Sequence, residues 1–369
     1  MNIKNIANIK SIVSVMLVLI LGVGIGLLAT KTWNPSWNPF VNASSQIIEK
    51  AIAKSFQAKT YKIEEDIKLK ITPENGQNGD FSFFISGVVD QTDLENVKTD
   101  SDLVFKMTGE GVEIQAKGKA KTFGKDIYFQ ITTLPSLPFL PTEIIAGFKN
   151  QWIKIDKKKL EEMFPSSETS LETSFDQQAF VEEIKPLLKG IEIFKIEKNL
   201  GEENLDGVKA QHYLVSFKKE TIKALIPEIL RVVKKYQPEA QSESESENEF
   251  EKIQKAFDDK FEATWQKISP LKIDFWLEKG NVWLKKIKIE KEINVADFDP
   301  DSKTKGKINF VLEMKIFNFN KEVKIEMPQN YKGIEEILSS MMGAILPKTG
   351  NVSGSEEILP QIPNFNEEK

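Results

Sequence analysis

The sequence predicts an α+β chain, mainly antiparallel β, set behind one N-terminal transmembrane helix. Three observations predict it. Ser11 to Thr30 is an apolar run without a charge, five strand-period runs follow one another between Tyr61 and Ile131, and a second strand-period group runs from Ile273 to Met327.

The first run, SIVSVMLVLILGVGIGLLAT, has the length of about 20 residues that a helix needs to cross a bilayer core. Lys4 and Lys10 precede it with no acid among them, so the positive-inside bias keeps residues 1–10 in the cytoplasm and sends the rest outside. Residues 31–43 form a juxtamembrane linker, where Pro35 and Pro39 stop the helix and Trp33 and Trp37 suit the headgroup layer. A cleaved signal peptide is the rival reading. The long apolar core and the lack of a nearby A-x-A site favour an uncleaved anchor in the cell membrane.

Residues 44–330 read as one extracytoplasmic domain. From Ser44 to Ala58, the spacing of Ile47, Ile48, Ala51, Ile52 and Phe56 predicts an amphipathic helix that packs on the sheet. Alternation follows in Tyr61, Ile63, Ile67, Leu69 and Ile71, then in Phe81, Phe83, Ile85 and Val89. It continues in Val97, Leu103, Phe105 and Met107, in Val112, Ile114, Ala116 and Ala120, and in Ile127, Phe129 and Ile131. Turn residues at Asn75-Gly76, Asn78-Gly79, Gly109 to Gly111 and Phe123-Gly124 separate these runs, which predicts a meander.

The stretch LPSLPFLPTEIIAGF is apolar, yet Pro135, Pro138 and Pro141 forbid a regular strand. It reads as a loop over the core or as a lid at an apolar cavity. Lys157 to Phe164 and Phe175 to Leu188 read as helices. Strands resume at Ile191 to Glu197 and Val208 to Phe217, joined through Gly201 and the turn Asp206-Gly207. Lys218 to Tyr236 is an amphipathic helix with Pro227 inside it, and its stripe is Ile222, Leu225, Ile226, Ile229, Leu230 and Val233.

Residues 237–249 form an acidic loop, and Phe250 to Trp265 reads as helical. Strands are expected at Ile273 to Leu277, Val282 to Ile293, Lys305 to Asn318 and Val323 to Met327. Residues 331–346 carry a last helical stripe from Ile334 to Leu346, and 347–369 read as a disordered tail.

Composition narrows the chemistry. With 50 basic against 55 acidic residues there is no basic surplus for phosphates, which argues against nucleic acid as a partner. The absence of Cys excludes disulfides, thiolate metal sites, cysteine nucleophiles and a lipidated cysteine. A single His, His212, leaves at most one histidine base, and its strand position reads as half-exposed. Asp297, Asp299 and Asp301 alternate like the start of a calcium loop, but Ser302 stands where Gly belongs and Ile308 where a bidentate Glu belongs. No nucleophile elbow, phosphate loop or zinc helix motif occurs, so the expectation is a non-enzymatic protein with no cofactor and no metal.

The order of anchor, helix ending in Lys54-Ser55-Phe56, meander, Gln151-Trp152-Ile153-Lys154-Ile155-Asp156, helices, and Lys195-Ile196-Glu197-Lys198 to Leu205-Asp206-Gly207-Val208-Lys209-Ala210-Gln211-His212-Tyr213 resembles the bacterial LolA/LolB and LprG/LppX-type envelope lipoproteins. That resemblance implies a curved half-barrel sheet packed on helices, often enclosing an apolar cavity for acyl chains. This chain departs from many members in having no lipidated cysteine. Independently, Phe is abundant, with 24 residues against 5 Tyr and 6 Trp, and much of it falls on strand faces. The candidate cavity wall is Phe83, Ile85, Phe105, Met107, Phe129, Ile131, Tyr213, Phe217 and Phe275.

Two functional readings stand open at this stage. One is an anchored binder of lipid or another hydrophobic molecule. The other is an envelope interaction or stress-sensing module with a closed core and a protein partner.

Overall fold

Hydrogen bonding between the first and last long strands joins the two sequence groups into one sheet. The computed structural model describes residues 47–337 except 75–77, 95, 110, 125, 136–146, 148, 156–182, 184–185, 188–190, 236–253, 256, 258, 260, 264, 268–270 and 299–304. The span from Ser11 to Thr30, the acidic loop, most of the Pro-rich stretch, most of the helices expected between 157 and 188, Asp299 and Asp301, and the tail lie outside the described residues. No helix among the described residues is long and apolar enough to cross a membrane.

The meander appears as expected: β1 (Thr60–Pro73), β2 (Gly79–Asp90), β3 (Lys98–Gly109), β4 (Val112–Phe123) and β5 (Asp126–Thr133), followed by β6 (Trp152–Ile155). The second group comprises β7 (Phe194–Leu205), β8 (Val208–Phe217), β9 (Lys272–Glu278), β10 (Leu284–Asn294), β11 (Gly306–Phe317) and β12 (Tyr331–Gly333). The order across the open, curved sheet is β12-β6-β5-β4-β3-β2-β1-β11-β10-β9-β8-β7. Every pair is antiparallel except β12 with β6. The β1–β11 ladder, from Lys62 opposite Phe317 to Pro73 opposite Gly306, is the seam between the halves.

Helix α1 (Ile47–Phe56) buries Ile48, Ala51, Ile52 and Phe56, which recur at helical spacing on one side. Three long-range hydrogen bonds fix it to the sheet. The Phe194 amide donates to Glu49 Oε1 at 3.2 Å, and the Leu284 amide donates to Ser55 Oγ at 2.7 Å. Gln91 Nε2 donates to the helix-end carbonyl of Phe56 at 2.6 Å, supplying a partner that the helix itself cannot. Burial pushes the Glu49 carboxyl above its ordinary range, since only part of its lost hydration is replaced.

Helix α2 (Lys219–Lys235) contains Pro227 and buries Leu225 and Ile229 against Leu187, Ile191, Ile193 and Val232, a cluster separate from the main core. Described positions between 254 and 267 are helical, and Glu262 there pairs with Lys219 and Lys223 of α2. Short helix α3 (Val295–Phe298) follows β10.

Several expectations are corrected. Ile191 to Ile193 precede β7 and serve the α2 cluster, while the strand itself runs on through Gly201 to Leu205 with two irregularities in register. Val97 stands just ahead of β3. Val323 to Met327 forms no strand: after β11 the chain turns across the strand ends. The Asn320 amide donates to Thr60 O at 2.8 Å and Lys121 Nζ donates to Glu326 O at 3.0 Å, before the chain reaches β6 as β12. Its alternation reflects Val323 and Ile325 lying half-buried between exposed Lys324 and Glu326. Tyr331–Gly333 takes strand form because it pairs with β6, and helix begins at 334.

Candidate functional site

Side chains alternate across a strand, so residues directly opposite one another share a face, and the register can be followed across the whole sheet. One row runs Tyr213, Phe275, Ile287, Met314, Glu65, Ile85, Leu103, Gly118, Ile131. The neighbouring row runs Val215, Ile273, Ile289, Leu312, Ile67, Phe83, Phe105, Ala116. On the other side, Ile316, Ile63, Gly87, Ser101, Ala120, Phe129 and Ile153 form a third. Met107 belongs to the same face, between Phe81 and Ile114, and Phe217 lies on it opposite Phe194. All nine predicted wall residues therefore share one inner face.

They do not share one environment. Phe275 is 2% exposed in the main core, with Ile273, Leu277, Ile287, Met314 and the buried side of α1, and Tyr213 and Phe217 pack against that cluster. Phe194 stacks on Phe217 at 5.3 Å and meets Phe275 edge-on at 5.4 Å. These three predicted wall residues belong to a filled core, because α1 lies over β9 and β10.

The cluster reaches β1 and the end of β2 at Val89 and stops there. Phe83, Ile85, Met107, Phe129 and Ile131 are only partly buried, and Phe105 is 37% exposed. Among the described residues, none of these six joins a buried cluster. Leu103 and Ile114 extend the same partly covered surface. The inner face thus has a sealed half under α1 and an apolar half, on β2 to β5, that the described core leaves partly open.

The outer face of those strands carries charged pairs beside apolar Phe84 and Val104, which stand opposite each other. Asp100 pairs with Lys121 at 2.9 Å and Asp102 with Lys119 at 3.6 Å, both across the β3–β4 ladder. Tyr128 is an exception that the alternation of Ile127 and Phe129 conceals. It is 1% exposed on the outer side, between Phe123 at 6.1 Å and Tyr331 at 5.2 Å.

His212 also lies on the outer face and is buried rather than half-exposed. Trp276 stacks on it at 4.1 Å, while Nδ1 lies 2.7 Å from Glu203 Oε1 and Nε2 lies 2.8 Å from Asp274 Oδ1. The Trp276 indole N–H donates to Glu203 Oε2 at 2.8 Å and is the main cause that holds the Glu203 carboxyl below its ordinary range. A lowered carboxylate value stabilises the fold above the unfolded value of about 4.3 and stops doing so as pH falls through the lower folded value. Glu203 is half-exposed, so the contribution is under about 1 kcal/mol. Wild type is therefore expected to exceed Glu203→Gln slightly in urea midpoint at neutral pH, with the two converging in acid; an equal gap at both pH values would refute this.

No group of three or more His, Asp or Glu arranged to hold a metal occurs among the described residues. The alternating aspartates are not brought together within the described part: Asp297 lies in α3, and Asp299 and Asp301 lie outside it.

No protein-family model matches the chain, and no curated protein is similar to it. Solved structures are similar over most of its length. LprF from Mycobacterium bovis is 9% identical, with 77% of this chain and 96% of that one covered and a TM-score of 0.34. The lipoprotein LppX from Mycobacterium tuberculosis is 9% identical, with 76% and 96% covered and a TM-score of 0.27. A LolA superfamily protein from Nitrosomonas europaea is 9% identical, with 76% and 96% covered and a TM-score of 0.16. The superfamily that the sequence resembles is thus represented among the similar structures. At these TM-scores the overlap carries no argument about function, which rests on the residues of this chain.

Proposed function

We propose that this protein is a membrane-anchored, extracytoplasmic binder of a lipid or similar apolar molecule, which it holds against the inner face of β2 to β5 without transforming it. The observation that carries the reading is the division of one apolar face into a half sealed by α1 and a half whose large side chains stay partly uncovered. Contiguous apolar surface rimmed by charge is costly to leave in water, at about 25 cal/mol per Å², and an acyl chain relieves that cost without specific hydrogen bonds. Phe83 directly opposite Phe105 supplies a broad, flat contact for such a chain.

The uncharged run from Ser11 to Thr30 supports the anchor, and Lys4 and Lys10 support its orientation. A binder held in this way presents or receives its ligand near one membrane.

Placing a photoreactive benzoylphenylalanine at Phe105 of the full chain in cells tests the reading. The expected product carries the added mass of a lipid or other small apolar molecule. Crosslinks exclusively to peptides of the same chain would mean that the protein fills this face itself.

A further inference from the structure

Glu65 interrupts the inner face at its centre. Across the ladders it stands between Met314 of β11 and Ile85 of β2, and along β1 it lies between Ile63 and Ile67 on the same face. A carboxyl among four aliphatic side chains loses hydration and gains nothing from them. Among the described residues, neither Glu65 nor Ser101 has a side-chain hydrogen bond or ion pair. Desolvation accordingly pushes the Glu65 carboxyl above its ordinary range.

The row beside it carries small residues. Gly87, opposite Ile63, is a diagonal neighbour of Glu65, and Ser101 stands opposite Gly87 on β3. A Cβ on Gly87 would collide with Ser101 Oγ and lie 2.8 Å from the Asp100 carbonyl. Position 87 therefore requires glycine, because Ser101 fills the space above it, and the Ser101 hydroxyl lies on the same face as the carboxyl. On the uncovered side lie the phenylalanines of β2 and β3, within reach of a chain whose head rests at β1.

We propose that Glu65 is the polar seat of the apolar face, and that it selects amphiphiles whose head donates a hydrogen bond, a hydroxyl or an ammonium, over those with an anionic head. This rests on the ligand reading above and adds the class of head group. A carboxylate or phosphate head meets a second acid in a poorly hydrated site, whereas a donor head gives Glu65 a hydrogen-bond partner. The chain of the amphiphile then lies over Phe83 and Phe105.

The test uses the full-length chain in phosphatidylcholine nanodiscs with three photoreactive probes of one chain length: a long-chain alcohol, the amine and the fatty acid in its ionised form. Labelling of peptides from β2 to β5 by the alcohol, the amine or both is expected to exceed that by the fatty acid about tenfold, the ratio one charge-assisted hydrogen bond provides. Which donor probe dominates identifies the head as hydroxyl or ammonium. Glu65→Leu, which replaces an unpaired acid by an aliphatic group among aliphatic neighbours and so preserves folding, is expected to bring all three probes to parity. Glu65→Gln is expected to keep the alcohol and lose any advantage of the amine. Equal labelling of wild type by all three, or a preference that survives Glu65→Leu, overturns the role of Glu65 and leaves the ligand face standing. No labelling of β2 to β5 by any probe overturns both.

Discussion

Phe275→Ala is expected to destabilise the β-sheet domain by about 3–5 kcal/mol, the range for emptying a buried aromatic position. Phe275 is 2% exposed, sits between Tyr213 and Ile287 in the inner row, and meets the Phe194 ring edge-on. The core around it is pinned by hydrogen bonds from Phe194 to Glu49 and from Leu284 to Ser55, which limit how far α1 can settle into the void. Urea unfolding of residues 44–369 followed by tryptophan fluorescence reads the effect, since Trp283 packs against this core. A loss under about 1 kcal/mol would show that α1 does not seal this half of the face.

Phe105→Asp is expected to do the reverse. Phe105 is 37% exposed and belongs to no buried cluster among the described residues, so the change in stability stays within about 1 kcal/mol. Ligand loading, by contrast, falls more than tenfold, because a carboxylate opposite Phe83 forces a charge against an acyl chain. Native mass spectrometry of residues 44–369 prepared without detergent reports the bound mass. Undiminished loading of the variant would remove Phe105 from the site. The pair of substitutions separates two phenylalanines on one face of one sheet, one acting in the core and the other on the ligand.

The sequence made local matters legible and left long-range ones hidden. The alternation of Tyr61, Ile63, Ile67, Leu69 and Ile71 marks β1, and turn residues mark where the meander reverses, because both signals lie within a few neighbours. The pairing of β1 with β11 does not show, since it joins residues far apart in the chain through matching apolar faces. The same limit hid the division of the predicted wall. Phe83, Phe105 and Phe275 look alike in a strand pattern, and only the position of α1 makes Phe275 part of a core.

Where sequence reasoning misjudged burial, distant partners were responsible. His212 has a polar residue and a half-buried tyrosine as neighbours in sequence, yet Trp276, Glu203 and Asp274 enclose it in space. Tyr128 falls on the face that should be wet and is covered by Tyr331 from the other end of the chain. The far part of β7 lacks apolar alternation because it is an edge strand with irregular register. Glu65 shows in the sequence as a break in the odd-numbered apolar series of β1. Its alignment with Met314 and Ile85 assigns it to the inner face.

The central claim, that the inner face of β2 to β5 carries an apolar ligand, is tested most directly by native mass spectrometry of wild-type residues 44–369 expressed in a bacterial envelope and purified without detergent. The account predicts a population heavier than the polypeptide by the mass of an extractable lipid, which is released on denaturation. A single species at the polypeptide mass, with no uptake of added fluorescent fatty alcohol or fatty acid, would contradict it.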